Sequence, residues 1–512
     1  MTPSANPPDR KQENIASLPA LVSKGWQWLF FQGGHLREKV VRGGVWLVMG
    51  DVFNRAAGLV KLAVLGRLLA PHDFGLLGIA MVILNAIRYF TETGFNASLI
   101  QRAGDIRPYL NTAWTVQILR STGVALTLAL AAPLGAWFFD NSAATAVIRV
   151  VGIVTLINGF TNPSVVYLRK ELDLRREVFW KMPGAVAGLA AAVVFGFWFR
   201  NVWALVISVI AAQAVETALS FRVVPYRPRM QLDWEKAREL FRFGRWIFWF
   251  NIVGFFGLYT DSLATAKLLG ATALGFYQVT AQLSTLPTTQ IAMHLRGVMF
   301  PAFAQLQKSR DLRRIFLKTL EALAWVVIPL GTFLSIFAKP IVWLVLGPKW
   351  MSITPVLQVL AWAGVGTALA SIANPLLMGI GVPNLAVRNS VLKVAILSCL
   401  IYPLAVRLGI FGVALALTSA TLAATVYNFG LVVRVLEADW WQLVKGFRGG
   451  IMGSMPFLIA GFVRLGPWTW VEIPAAALAV AAYLAMLLPA LKSHLAPRKV
   501  EESTGSGSVA EA

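Results

Sequence analysis

The sequence predicts an all-α polytopic membrane protein with about fourteen transmembrane helices (twelve to fourteen), built as two six-helix lobes plus two C-terminal helices. Three observations carry this. The 512 residues are 57% hydrophobic and 14% charged, with mean hydropathy +0.65, where soluble domains carry about 25% charge. The chain divides into about fourteen mostly apolar runs of roughly 20 residues, the length that crosses a hydrocarbon core about 30 Å thick. A phrase is also written twice: GRLLAPHDFGLLGIA from Gly66 and AKLLGATALGFYQVT from Ala266.

Taken in order, residues 1–41 read as a cytoplasmic tail. MTPSANPPDRKQENIAS lacks the basic, apolar and small-residue pattern of a signal peptide. Within the tail, LVSKGWQWLFFQ mixes charge with aromatic residues and reads as an interfacial helix or the wetted start of a span. Residues 42–224 hold six spans, starting near Gly43, Phe74, Leu110, Ala144, Trp180 and Val202. A cytoplasmic linker, 225–241, carries DWEKARELFRF, which reads either as an amphipathic interfacial helix or as the start of the next span. Six more spans fill 242–436, near Gly244, Leu274, Phe316, Thr354, Asn384 and Ile410. Two additional spans occupy 437–495, near Gly449 and Trp468, before a disordered cytoplasmic tail, 496–512. Pro163, Pro287, Pro329 and Pro375 are expected to interrupt their spans.

Orientation follows from the basic residues. With the N-terminus inside, about 33 of the 46 Lys and Arg fall in or beside cytoplasmic segments such as YLRKELDLRREVFWK and QLQKSRDLRRIFLK. The outer turns, such as FFDNSA and FRNVW, are short and nearly neutral. Both termini are therefore expected in the cytoplasm.

The repeat extends beyond the phrase. At an offset of 200, Arg42, Gly44, Trp46, Arg67 and Gly75 face Arg242, Gly244, Trp246, Lys267 and Gly275. At an offset of 212, Asn162, Pro163, Arg176 and Lys181 face Asn374, Pro375, Arg388 and Lys393. The copies lie six spans apart, so they share one orientation and the repeat is parallel. Gly75 and Gly275 suit close packing at a turn, which makes Arg67, Gly75, Lys267 and Gly275, like Pro163 and Pro375, structural positions. Two like lobes leave a seam, where a transporter builds its path.

Composition excludes several classes. The single cysteine, Cys399, and four scattered histidines exclude a disulfide framework and a cysteine-based or zinc site. No metal or other cofactor is expected. The net charge of +22 lies between membrane-length apolar runs, so it does not indicate nucleic acid. No GxxxxGK[ST] loop is present to drive an ATPase.

LAVLGRLLAPHDFGLLGIAMVI followed by FTETGFNASLIQR resembles the start of the bacterial polysaccharide biosynthesis proteins of the oligosaccharide flippase family. These belong to the multidrug, oligosaccharidyl-lipid and polysaccharide exporter superfamily. LLGATALGFYQVTAQLSTLP, VMFPAFAQLQ and LVLGPKWMSITPVLQVLA resemble it too, so the likeness runs from about Gly43 to about Val433. The resemblance implies two lobes in a V shape in the bacterial inner membrane. It also implies a polyprenyl-diphosphate-linked oligosaccharide as substrate, and membrane lipids, a polysaccharide polymerase and other export proteins as partners. Short outer turns argue against a membrane glycosyltransferase or ligase with a large outer domain, so no enzyme is expected. A cation-coupled drug antiporter of the same superfamily is the alternative.

Such a substrate needs fixed positive charge inside the membrane. Charges within spans usually face a cavity or a partner. Here they are Asp51, Arg55, Lys61, Arg88, Glu92, Arg120, Arg149, Glu216, Asp261, Arg296 and Glu321. Guanidinium binds phosphate bidentately, so Arg55, Arg88, Arg120 and Arg296 are the candidate diphosphate contacts. The first three lie about 16–21 Å into their spans at 1.5 Å per residue. Asp51–Arg55 and Arg88–Glu92 could instead neutralise one another at i,i+4. Arg120 has no acid within a turn of its own helix and is the expected anion site. Asp261, Glu216 and Glu92 are candidates for coupling to H⁺ or Na⁺.

Overall fold

A computed structural model describes residues 34–92, 95–102, 104–307, 309, 311–462 and 469–495. Residues 1–33 of the expected N-terminal tail, with the LVSKGWQWLFFQ segment, the C-terminal tail and the last predicted start, Trp468, lie outside these residues, while residues 34–41 open the first helix. Among the described residues the fold is helical throughout, without strands. In chain order the first lobe contains α1 (Gly34–Leu68), α2 (Pro71–Thr91), the short α3 (Phe95–Gln101), α4 (Arg107–Phe138), α5 (Ala144–Gly159), the short α6 (Val166–Lys170), α7 (Leu174–Phe199) and α8 (Val202–Val223). Next come α9 (Trp234–Leu306), α10 (Leu312–Ile336), α11 (Ala338–Val345), α12 (Thr354–Gly379) and α13 (Pro383–Val435), then α14 (Trp440–Phe462) and α15 (Thr469–Leu495).

The other thirteen predicted starts all fall inside helices. Among the described residues, seven helices are long and apolar enough to cross a membrane, or eight if the bent pair Ala144–Gly159 and Pro163–Lys170 is one span. α9 and α13 each consist of two arms, turned at Gly270 (φ 82°) and Gly409 (φ 60°). Both glycines occupy left-handed backbone that a side chain would disfavour. In the first copy the same corner is made by Ala70 and Pro71, so the repeat conserves the bend with different residues.

The expected proline interruptions occur at one position of four. Pro163 follows a break at which the chain bends by 68°. Pro287, Pro329 and Pro375 lie within continuous helices, where neighbouring helices can take over a freed carbonyl. The DWEKARELFRF segment is the first turns of α9, capped by Asp233, whose carboxylate accepts from the Glu235 and Lys236 amides. The linker before it is strapped to α4. The Tyr226 hydroxyl donates to Asn111 Oδ1 at 2.8 Å, and the Gln231 amide donates to Thr115 Oγ1 at 3.0 Å.

The two lobes pack their helices in one order. α1 lies on α7 as the first arm of α9 lies on α13, and α4 lies on α5 as α10 lies on α12. At the predicted outer end the lobes share a core: Leu65, Leu69 and Phe74 of the first pack with Val279, Val342 and Trp350 of the second. At the other end the cores separate. Phe95, Ile106 and Leu110 form one cluster, and Phe303, Leu312 and Phe316 another. The C-terminal pair packs Phe457 and Tyr483 onto Phe337.

Candidate functional site

Two features occupy the junction of the lobes. The first is a clasp at the predicted outer end, built by the repeated phrase. A Cβ on Gly75 would lie 1.7 Å from the Ala271 carbonyl oxygen, and one on Gly275 would lie 1.8 Å from that of Pro71. The starts of the two equivalent helices therefore touch backbone to backbone, each glycine against the other copy's corner. The two basic residues reach across reciprocally. Arg67 donates to the Leu344 carbonyl of the second lobe. Lys267 donates to the Phe138 carbonyl at 2.6 Å and to the Asp140 carboxylate at 2.8 Å in the first.

Trp350 closes the clasp. It is fully buried, sits edge-on to Phe74 and Phe276 with ring centroids 5.4 Å from each, and donates its indole N–H to the Gly66 carbonyl at 2.7 Å. Lys349 beside it donates to the Arg67 and Leu69 carbonyls. Truncating Trp350 to Ala should cost about 3–5 kcal/mol of packing at this end. We expect a lower unfolding temperature in detergent. We also expect faster outside labelling of Ala70→Cys in a background where the exposed Cys399 is replaced by Ser. Unchanged labelling and melting would show that the tryptophan does not hold the lobes together.

The second feature is a polar strip crossing the seam. Arg120 of α4 donates to Glu92 at the C-terminal end of α2, at 2.8 Å. Its expected isolation is thus corrected: the acid comes from the neighbouring helix, which periodicity within α4 cannot reveal. Arg88 lies beside this pair and faces Arg120, Glu92, Tyr89 and Tyr259. It is half-buried, and among the described residues its guanidinium has no hydrogen bond or ion pair. Across the seam, Tyr89 packs on Phe255 and Tyr259 at 6.2 and 6.0 Å, and Phe90 packs on Phe255 at 5.2 Å. Tyr259 also faces Asp261. Asp261 accepts from the Tyr277 hydroxyl at 2.6 Å and faces Lys393.

The strip brings together Arg88, Arg120 and Glu92; Asp261 sits inside the second lobe with Tyr277 and Lys393, and the other candidates also stand apart. Arg55 stays on α1 beside Asp51. Arg296 is exposed on the second arm of α9. Glu216 faces Lys181 and Glu177 inside the first lobe. There Glu177, its side chain 5% exposed, accepts from Arg169 and Lys181, each at 2.7 Å. Pro163 and Pro375 are buried away from the seam, next to the bonds Asn162 makes with Tyr226 and Asn374 with Asn428. Depth also changes. Arg88 lies seventeen residues beyond Pro71, about 25 Å from the predicted outer end at 1.5 Å per residue. That is nearer the cytoplasmic boundary than the membrane centre.

Sequence reasoning missed Tyr259, Tyr277, Lys393 and Glu177 as members of polar clusters. Lys393 was visible as the repeat partner of Lys181, and Tyr277 lies inside the repeated phrase. What was missing was a reason to pair either with Asp261.

Comparison with known proteins agrees with this architecture. The family described as polysaccharide biosynthesis protein matches residues 64–355. The lipopolysaccharide biosynthesis protein WzxC of Escherichia coli is 25% identical over 434 residues, covering 83% of this chain and 88% of that protein. The teichuronic acid biosynthesis protein TuaB of Bacillus subtilis is 25% identical over 354 residues, covering 69% and 73%. Among solved structures, the lipid II flippase MurJ in an inward closed conformation shares the fold with a TM-score of 0.71 at 12% identity, covering 88% of this chain and 99% of MurJ. An inward-facing multidrug transporter of the MATE family gives 0.55 at 14% identity, covering 77% and 99%. With a matched region spanning more than half its length and both copies of the repeated phrase inside it, the chain belongs to the polysaccharide biosynthesis protein family.

Proposed function

We propose that the protein is a flippase. It moves a polyprenyl-diphosphate-linked oligosaccharide from the inner to the outer leaflet of the bacterial inner membrane by alternating access, with Arg88 meeting the diphosphate. The observation that carries this is the half-buried Arg88 guanidinium on the seam between repeat-related lobes, flanked by Tyr89 and Tyr259 and, among the described residues, without an ion pair or hydrogen bond of its own. An intramembrane cation without a partner is costly and calls for an anion or water. Arg120, held by Glu92, is the positioning residue, and Arg55 and Arg296 lie farther along the path. The names of the relatives, which concern lipopolysaccharide, teichuronic acid and succinoglycan, support a glycan substrate.

The clasp at the outer end and the separate cores at the inner end support a cycle in which the lobes part at one end while meeting at the other. Asp261 is the carboxylate we assign to coupling with H⁺ or Na⁺, ahead of Glu216 and Glu92. It lies within the second lobe, where it accepts from Tyr277 and faces Lys393. The product would pass to a polysaccharide polymerase outside.

Deleting the gene should abolish surface glycan and leave the lipid-linked repeat unit on the inner leaflet, and the wild-type chain should restore export. Resistance to lipophilic cations without any glycan phenotype would instead establish the antiporter alternative. For orientation, reporter fusions after Arg176, Arg238 and Arg314 should report cytoplasm, and fusions after Asn141 and Asn201 the outside. One inversion among them would undo the assigned topology and place both termini elsewhere.

A further inference from the structure

Away from the seam, a cavity of about 470 Å³ opens between the first turns of α10 and α14, at the predicted cytoplasmic end. Arg313, Arg314, Lys318 and Lys445 line it, with one carboxylate, Glu321. Arg313 is held in place by the Gln442 side chain at 3.0 Å and the Glu437 carbonyl at 3.2 Å. Arg314, Lys318 and Lys445 are exposed, and among the described residues none has a hydrogen bond or ion pair. Arg314 and Lys318 are four residues apart on one face of α10.

The surroundings indicate what meets this charge. Trp440 and Trp441, 49% and 68% exposed, stand at the start of α14, as aromatic residues do at a membrane–water boundary. Below them α14 presents Ile451, Met455 and Ile459 outward. On the adjoining face of α14 a second, almost wholly apolar pocket of about 190 Å³ is lined by Leu369, Leu422, Phe429, Trp440 and Phe447. Basic charge, exposed tryptophans and an apolar slot therefore share the first turns of a single helix, on adjoining faces.

We infer that this cavity binds the phosphate headgroup of an anionic glycerophospholipid, with an acyl chain lying along α14. Basic pockets between helices on the cytoplasmic side are suited to such headgroups. The chemistry shared with a free anion is the phosphate oxygen; the tryptophans and the apolar slot favour the lipid. The site lies on the second lobe and the added helix pair, apart from the Arg88 strip, and does not depend on the transport reading.

The test uses the full-length protein in nanodiscs of phosphatidylcholine, with or without phosphatidylglycerol, and with inorganic phosphate as a separate probe. Retained lipid is counted by native mass spectrometry after detergent exchange. Phosphatidylglycerol should be retained and should raise the unfolding temperature; phosphatidylcholine and 10 mM-scale phosphate should do neither. Each basic contact to an anionic lipid is worth about a factor of five, so R314Q/K318Q/K445Q should weaken retention roughly 100-fold. K445Q alone should weaken it about fivefold and serves if the triple variant is poorly made. Equal retention of phosphatidylcholine, unchanged retention by K445Q and the triple variant, or displacement of the lipid by inorganic phosphate would each overturn the assignment.

Discussion

Replacing Arg88 with Ala should abolish glycan export while leaving the protein at normal levels in the membrane. Among the described residues the half-buried guanidinium makes no ion pair or hydrogen bond that its removal would strand, so the fold loses little. The substrate loses a charge-assisted, bidentate contact in a site of low dielectric, worth about 3 kcal/mol or roughly 100-fold. Arg88→Lys keeps the charge without the fork and should retain partial export. The neighbouring pair supplies the control. Arg120→Ala removes a cation from beside Glu92, whose charge then bears more heavily on Arg88, so export should fall. Adding Glu92→Gln to Arg120→Ala should restore part of it, whereas Glu92→Gln should not rescue Arg88→Ala. Complementation of a deletion strain, read beside a membrane blot, measures each case. Native export by Arg88→Ala, or equal rescue of both backgrounds, would move the anion site elsewhere.

Gly75→Ala should be as damaging by a different route. The new methyl would lie 1.7 Å from the Ala271 carbonyl oxygen and 2.5 Å from its carbon. Those are backbone atoms, so no rotamer change relieves the overlap, and α2 must move off the corner of α9. Overpacking of this kind costs about 1–3 kcal/mol, and here it acts on the contact that joins the lobes. Gly275→Ala should behave alike, because Pro71 offers the same obstacle at 1.8 Å. Both should lower the unfolding temperature by several degrees and stop export. Gly58, on α1 with nothing within 4 Å of its would-be Cβ, is the matched control; Gly58→Ala should be neutral or slightly stabilising. If Gly75→Ala and Gly58→Ala melt and export alike, the outer contact is not what holds the lobes.

Much of the architecture was legible beforehand because it rests on local and repeated properties. Apolar runs of membrane length mark helices regardless of their neighbours, so thirteen predicted starts lie within helices. The written-twice phrase also announced its own use. Residues recurring at one offset in two like lobes must meet symmetrically if the lobes meet there, and Gly75 and Gly275 do so. The proline signal was read too strongly. Pro287, Pro329 and Pro375 continue their helices because neighbouring helices can absorb the missing donor, and no pattern within a single helix reports that.

The partner of each intramembrane charge was the part that only the tertiary structure decided. Spacing reports acids three or four residues away, and by that measure Arg88 was paired with Glu92 and Arg120 was alone. Packing α4 against α2 reverses this, giving Glu92 to Arg120 and leaving Arg88 on the seam. Likewise Asp261 takes Tyr277, sixteen residues away, because the corner at Gly270 folds one arm of α9 back along the other. The sequence by itself determined the membrane class, the helical runs, the parallel repeat and the glycines at its contact. These follow from composition and periodicity, which survive any arrangement of the helices. Which guanidinium remains available to an anion depends on distances between helices, and those exist only once the lobes have packed.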